Sequence, residues 1–195
     1  MKGKYIKGKK ITYDGSQLHS LYAYSEHDVR GDSIVAYRGP CRVTLEAMVD
    51  MEDRKNNAEI SSEEMAHFIV ELFDIDLGRA VVIQRLFLCV VKDVIEELKP
   101  ELFISRLGDD LYIEVEAEEG EEENRKLTIS VATASPISTL IHLGINVSSE
   151  NTPIPTLGLD DLDVPVDDFI IKVLQNFINE MKGIEQARCK VRGVD

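Results

Sequence analysis

Arg125 and Lys126 open the run Leu127-Thr128-Ile129-Ser130-Val131, and a second apolar run, Ile141-His142-Leu143-Gly144-Ile145-Asn146-Val147, follows shortly after. In an extended chain, alternation puts Lys126, Thr128 and Ser130 on one face and Leu127, Ile129 and Val131 on the other. An ammonium held on one strand, beside a strand carrying Gly144 and Asn146, can bind and polarise a carboxylate or an acyl phosphate. The competing reading is a strand-end lysine that neutralises the acidic stretch 114–124.

Two further segments carry chemistry. Arg38-Gly39-Pro40-Cys41-Arg42 offers two guanidinium forks about a glycine, suited to a phosphate or carboxylate or simply to a solvated hairpin turn. Arg106-Leu107-Gly108-Asp109-Asp110 puts a cation and two carboxylates on a tight turn that could hold Mg²⁺ or a ribose, or be an ordinary Asp turn. Cys41, flanked by arginines, would have a depressed thiol pKa and is a candidate nucleophile, although no histidine stands beside it in sequence. His19, His27, His67 and His142 show no ligand spacing, so no metal site is expected. There is no Gly-x-Ser-x-Gly elbow and no Walker-type phosphate loop.

A chain of 195 residues with 44% hydrophobic content suits a single domain, 1–195, with a substantial core. Its net charge of -14 opposes general nucleic-acid binding, despite Lys2, Lys4, Lys7, Lys9 and Lys10 near the start. Three unevenly spaced cysteines argue against a disulfide framework. The longest apolar run, 80–95, is broken by Gln84, Arg85, Lys92 and Asp93, so no membrane span is expected and the location predicted is cytoplasmic.

The elements that must position these groups fall into three blocks. Residues 5–13, 33–37 and 43–48 read as strands, with Arg38–Arg42 as a turn and 51–59 as a loop. Ser61 or Ser62 reads as the cap of a helix that contains His67 and runs to about Phe73. Asp76 caps a second helix, residues 77–98, apolar nearly all round and so buried against a sheet. Strands return at 102–105, 111–115, 126–133 and 139–147, with 116–124 as a solvated acidic loop. A helix at 165–182 and a short strand at 187–191 close the chain. Strands on both sides of a helical block predict an α+β domain with a central, mostly antiparallel mixed sheet flanked by helices.

The order of the segments carries a resemblance. An apolar helix, then Phe103-Ile104-Ser105-Arg106-Leu107-Gly108-Asp109-Asp110-Leu111, then Arg125-Lys126-Leu127, then Gly144-Ile145-Asn146-Val147, resembles the catalytic domain of biotin and lipoate protein ligases and of octanoyl transferases. As a whole the chain looks closer still to an uncharacterised, largely archaeal family, domain of unknown function 366. The resemblance implies the ligase fold, related to class II tRNA synthetases. It implies that Lys126 contacts an acyl carbonyl or acyl-adenylate. It also implies that Arg38, Gly39, Arg42, Arg106, Asp109, Asp110, Gly144 and Asn146 line the ligand site. The ligand would be a small carboxylate or acyl group or its adenylate. ATP and Mg²⁺ would be needed for a ligase-like reaction, and a carrier protein is a compatible acceptor. A homo-oligomer is compatible with the resemblance too.

The departures are specific. Leu45-Glu46-Ala47-Met48 follows Val43-Thr44 where the transferases carry Tyr-His-Gly-Pro-Gly. Pro155-Thr156-Leu157-Gly158 replaces their Pro-Cys-Gly loop, and Gly39 alone is left of the Gly-rich adenylate loop. Transfer through a cysteine thioester is therefore not expected. A non-catalytic binding or interaction module on the same fold is the alternative.

Overall fold

The computed structural model describes residues 1–58, 60–116 and 122–194. The element order is β1 (Lys2–Lys10), α1 (Tyr22–His27), β2 (Ser33–Val43), α2 (Met51–Asn56), β3 (Ile60–Leu72), α3 (Leu77–Leu98), β4 (Ile104–Leu107), β5 (Asp110–Glu116), β6 (Glu122–Lys126), β7 (Thr128–Ala134), β8 (Thr139–Asn146) and α4 (Val166–Arg188). Five strands form the main sheet in the order β1-β2-β3-β8-β7, and β4-β5-β6 form a second sheet. Only β1 and β2 pair in parallel in the main sheet; its other pairs are antiparallel. The class expected from sequence, α+β with a mostly antiparallel sheet, is the class found.

Period-two alternation divides the main sheet into two chemically different faces. Ala66, Phe68 and Val70 of β3, with Ile141, Leu143 and Ile145 of β8, point to α3 and α4 and belong to the larger core. Phe87 of α3 meets Phe68 edge-on at 5.6 Å and Phe177 of α4 at 4.2 Å, which ties the sheet to both helices. Burying each such ring stabilises the fold by about 1.5–3 kcal/mol. On the other face lie Tyr13, Tyr37, Cys41, Met65 and Ile69 in a smaller cluster, and next to it a cavity.

Several local expectations are corrected, among them the strand expected at 43–48, since β2 already ends at Val43. The segment after Ser61 is the central strand β3, not a helix, and His67 lies within it. Buried on both faces, this strand is a continuous apolar run, which periodicity cannot separate from a buried helix. Arg38–Arg42 is no turn: β2 runs through it, with a register shift between Gly39 and Cys41. Gly39 permits this because Ile11 crosses it so closely that a Cβ would run into the Ile11 carbonyl oxygen. Residues 51–56 form the short helix α2, capped by Asp50, instead of a loop. The last helix continues to Arg188, so no strand forms at 187–191. Of the expected acidic loop, 117–121 lies outside the described residues, while 122–126 is strand β6.

The chain crosses from the second sheet to the main one at a single residue. Lys126 ends β6 and Thr128 begins β7. Between them Leu127, fully buried, donates its N–H to Leu111 O at 2.9 Å and accepts from Asn146 N at 3.0 Å. Asn146 is thus bonded to the residue that follows Lys126, and both Lys126 and Asn146 line the same cavity.

Candidate functional site

A cavity of about 430 Å³ opens on the sheet face opposite the two long helices. Its lining includes Tyr13, Cys41, Met65, Ile129, His142 and Asn146 from the sheet side. Asp109, Asp110 and Lys126 come from the second sheet, and Asp50, Glu52 and Asp53 from the segment around α2.

Lys126 is neither solvated nor free. Its Nζ sits 2.7 Å from Asp110 Oδ2, and the two side chains are 23% and 19% exposed. The pairing follows from the register: Tyr112 of β5 faces Lys126 of β6, and Asp110, two residues before Tyr112, points to the same side. Burial raises the Asp110 carboxyl pKa; the Lys126 ammonium opposes that rise, and the carboxylates of Asp109 and Asp53 add to it. Among the described residues the lining thus carries five carboxylates against one ammonium, a balance that works against a multiply charged anion.

Asn146 is 5% exposed and lines the cavity. Its backbone is engaged, by Leu127 O and Leu159 N, but its side-chain amide makes no hydrogen bond to any described residue. Gly144, two residues earlier on β8, faces His67 and Ile129 across the ladders. A Cβ there would stand 3.0 Å from Met65 Cε and 3.2 Å from Ile129 Cγ1, so glycine keeps the wall flat.

The remaining residues expected at the site are elsewhere. Arg38 points toward the helix side, where its Nη2 is 2.7 Å from Glu64 and its Nη1 3.8 Å from Asp167 in the first turn of α4. Lys10 shares Glu64, while Lys7 and the Tyr5 hydroxyl share Asp167. Arg42 donates to the carbonyls of Cys41 and Ser62 and pairs with Glu63 at 2.8 Å. Arg106 donates to Gly108 O at 2.6 Å and closes its own turn. Gly39 is structural, and its carbonyl accepts from His67. The structure therefore brings Lys126, Asp109, Asp110 and Asn146 to the cavity, and keeps Arg38, Arg42 and Arg106 away from its lining.

Cys41 lines the cavity, but its thiol is not activated. Burial pushes its pKa up to about 12, and the Arg42 charge only partly offsets this. A thiol at that value is a core side chain at neutral pH.

Sequence reasoning passed over a buried histidine pair, of which His142 lines the cavity and His67 lies behind it. His67 and His142, both fully buried or nearly so, face each other across β3 and β8, with His67 Nδ1 3.1 Å from His142 Nε2. The Tyr13 ring stacks on His142 at 3.6 Å between centroids. Burial holds the His67 pKa down to about 4, partly offset by hydrogen bonds to the backbone at Gly39 and Pro40. Burial also depresses that of His142, with His67 adding to the effect. The available signal was a histidine inside each of two apolar runs, which meet once both are read as strands. Among the described residues no group of three or more His, Cys, Asp or Glu is arranged to hold a metal ion.

With this geometry in hand, comparison with known proteins places the fold. Residues 1–192 match the family model described as Domain of unknown function (DUF366). The chain belongs to the DUF366 family. This DUF366 member is 35% identical over 184 residues to the uncharacterized protein MJ0805 of Methanocaldococcus jannaschii, covering 91% of this chain and 78% of that one. A protein of unknown function from Pyrococcus horikoshi superposes with TM-score 0.88 at 35% identity, covering 99% and 98% of the two chains. More distant structures share the fold. A mutant biotin protein ligase from Aquifex aeolicus in complex with biotin gives TM-score 0.62 at 15% identity, with 95% and 72% covered. A bipartite lipoate protein ligase from Thermoplasma acidophilum gives TM-score 0.52 at 16% identity, with 93% and 84% covered. The DUF366 domain therefore has the biotin/lipoate ligase fold, as its segment order implied. No helix among the described residues is long and apolar enough to cross a membrane.

Proposed function

We propose that this protein is an acyl-group-binding enzyme of the ligase or acyltransferase type, with its substrate in the 430 Å³ cavity. The observation that carries this reading is that the Lys126 ammonium and the unpartnered amide of Asn146 line the same cavity. An ammonium held there by Asp110 stabilises negative charge as it develops on an acyl oxygen, at no reorganisation cost. The amide supplies a neutral donor to the same oxygen. Asp110 fixes the lysine and competes with a carboxylate for it, so a neutral acyl group fits better than a free acid. Cys41 takes no part as a nucleophile, and acyl transfer goes directly to an acceptor.

A triphosphate does not fit the described residues. The one cation in the described lining is paired with Asp110, five carboxylates line the same cavity, and Arg38 and Arg42 are committed to Glu64 and Glu63 outside it. No step through ATP is therefore derived, and transfer from an already activated acyl donor is the better-supported chemistry. The related reading, a non-catalytic module on the same fold, draws on the same acidic lining and the unactivated thiol.

Hydroxylamine trapping separates the two. The protein is incubated with octanoyl, lipoyl and biotinyl thioesters, and in parallel with the free acids plus ATP and Mg²⁺, and hydroxamate is measured. Hydroxamate formed from a thioester faster than in the enzyme-free control, an excess lost in Lys126→Ala, is the expected result. No excess over the control from any donor, with no thermal shift by any acyl compound, establishes the module instead.

A further inference from the structure

The hydrogen-bond network beneath the cavity determines which nitrogens carry hydrogen. The Gly39 carbonyl can only accept, and His67 Nε2 stands 3.1 Å from it, so Nε2 of His67 carries the hydrogen. His67 is wholly buried and neutral, so its Nδ1 is a lone pair. That lone pair is 3.1 Å from His142 Nε2, which must therefore be the donor. His142, neutral as well, is left with a bare Nδ1. His142 lines the cavity, and this nitrogen has no partner among the described residues. Tyr13 stacked at 3.6 Å prevents the ring from turning.

His142, Gly144 and Asn146 share one face of β8, the asparagine four residue steps beyond the histidine. At about 3.4 Å per residue the two ends of this wall are roughly 13 Å apart, comparable to an extended medium-chain acyl group. Gly144 leaves the wall between them bare, and the neighbouring Met65 and Ile129 are apolar. One end thus offers Lys126 and an amide. The other offers a fixed, uncharged hydrogen-bond acceptor in apolar surroundings.

We infer that the cavity selects an acyl group whose far end carries a neutral O–H or N–H donor, received by Nδ1 of His142, with His67 as the positioning residue that fixes this tautomer. The inference rests on the cavity being the acyl site. It predicts an order of preference: a terminal hydroxyl or amide donor binds better than a terminal methyl. A terminal carboxylate or ammonium binds worse than either, because it must be desolvated at an apolar floor.

Isothermal titration with ω-hydroxyoctanoate, octanoate, octanedioate and ω-aminooctanoate tests the order. The hydroxy acid is expected to bind about tenfold tighter than octanoate, the factor for one net hydrogen bond at its upper end. His142→Phe should bring the two to equal affinity, whatever that shared affinity becomes. His67→Phe frees His142 to take the other tautomer, whose Nδ1–H donates, so ω-methoxyoctanoate, which can only accept and is disfavoured by the wild type, should rise to near parity with the hydroxy acid, a change that mere loss of packing would not produce. The esters methyl octanoate and methyl ω-hydroxyoctanoate keep this test separate from the Lys126 reading. If the acids fail to bind but the hydroxy ester keeps its advantage, the carboxyl end of the proposed function is wrong and the histidine floor stands. Equal wild-type affinity within each pair, a preference that survives His142→Phe, or no binding by any compound overturns the inference.

Discussion

Replacing Lys126 by alanine removes one partner of an ion pair held at 2.7 Å with about four-fifths of each side chain out of water. At an effective dielectric of about 20 the gross attraction at that distance is about 6 kcal/mol. Desolvation of the two ions, several kcal/mol each before relaxation, offsets most of it. The pair is therefore worth little net, but truncating one side leaves Asp110 facing Asp109 and Asp53 with nothing to balance it. For fully buried pairs that costs about 3–5 kcal/mol, and the residual solvent contact here brings it to about 2 kcal/mol. In a domain of this size the Tm should fall by roughly 4–8 °C at pH 8. The sign of the pH dependence follows from the raised Asp110 pKa. A carboxyl whose folded-state pKa is raised contributes stability below its unfolded value and loses it as pH rises through the folded value. Without Lys126 the pKa rises further, so the deficit relative to wild type should shrink on acidification, by up to about 1.4 kcal/mol per pH unit. Urea midpoints at pH 5, 6.5 and 8, as chosen assay points spanning roughly this range, measure it. Adding Asp110→Asn to the variant should abolish the deficit. A deficit of the same size at every pH, or one undiminished in the double variant, would refute the reasoning.

Three further outcomes follow from the same geometry. Asp110→Asn releases the Lys126 ammonium, so octanoate should bind several-fold tighter and with stronger salt dependence, read by titration calorimetry at low and high ionic strength. Gly39→Ala places a methyl against the Ile11 carbonyl oxygen, a backbone obstacle that cannot turn aside, and should cost on the order of 3 kcal/mol or more in a denaturation curve. His67 and His142 have depressed folded-state pKa values, so the stability they contribute is present above about pH 6.5 and is lost as pH falls below it. Stability falling between pH 7 and 5, at roughly 1–3 kcal/mol per pH unit by denaturant titration, is expected, and a flat profile would contradict the buried neutral pair.

How much of this was legible beforehand depended on the environment of each segment. The helix Leu77–Leu98 is readable because an Asp cap and a long apolar pattern agree, and the structure bears both out: Asp76 accepts from Arg79 N at 2.7 Å. The β7–β8 hairpin is readable from alternation about Pro136. β3 is not, because Ser61-Ser62-Glu63-Glu64 resembles a helix start and the strand is buried on both faces. That misreading hid His67 from His142 and with it the floor of the cavity. Gly39 and Pro40 suggest a turn locally, whereas the strand passes through them because of Ile11, a contact from outside the segment. At the site, Lys126, Asp109, Asp110 and Asn146, singled out by residue type and segment order, all line the one cavity. That Asp110 neutralises Lys126, and that Arg38 and Arg42 serve Glu64 and Glu63, depends on strand register and on which face each side chain takes.

Leu127 joins the two sheets as one residue, held by a hydrogen bond on each side and wholly buried. Lys126, its neighbour in the chain, and Asn146, which donates to its carbonyl, are thereby both anchored at this one buried residue. The opposite rim is different: α2 buries none of its side chains and carries Glu52 and Asp53 on a six-residue helix. A lineage diversifying its ligand has an inexpensive place to do so at 44–58 and a forbidden one at 126–128. Substitutions that retune specificity among descendants of this fold should therefore accumulate on the α2 rim. The Lys126–Leu127–Thr128 junction should be inherited as a unit, with compensating changes on β8 wherever it does drift.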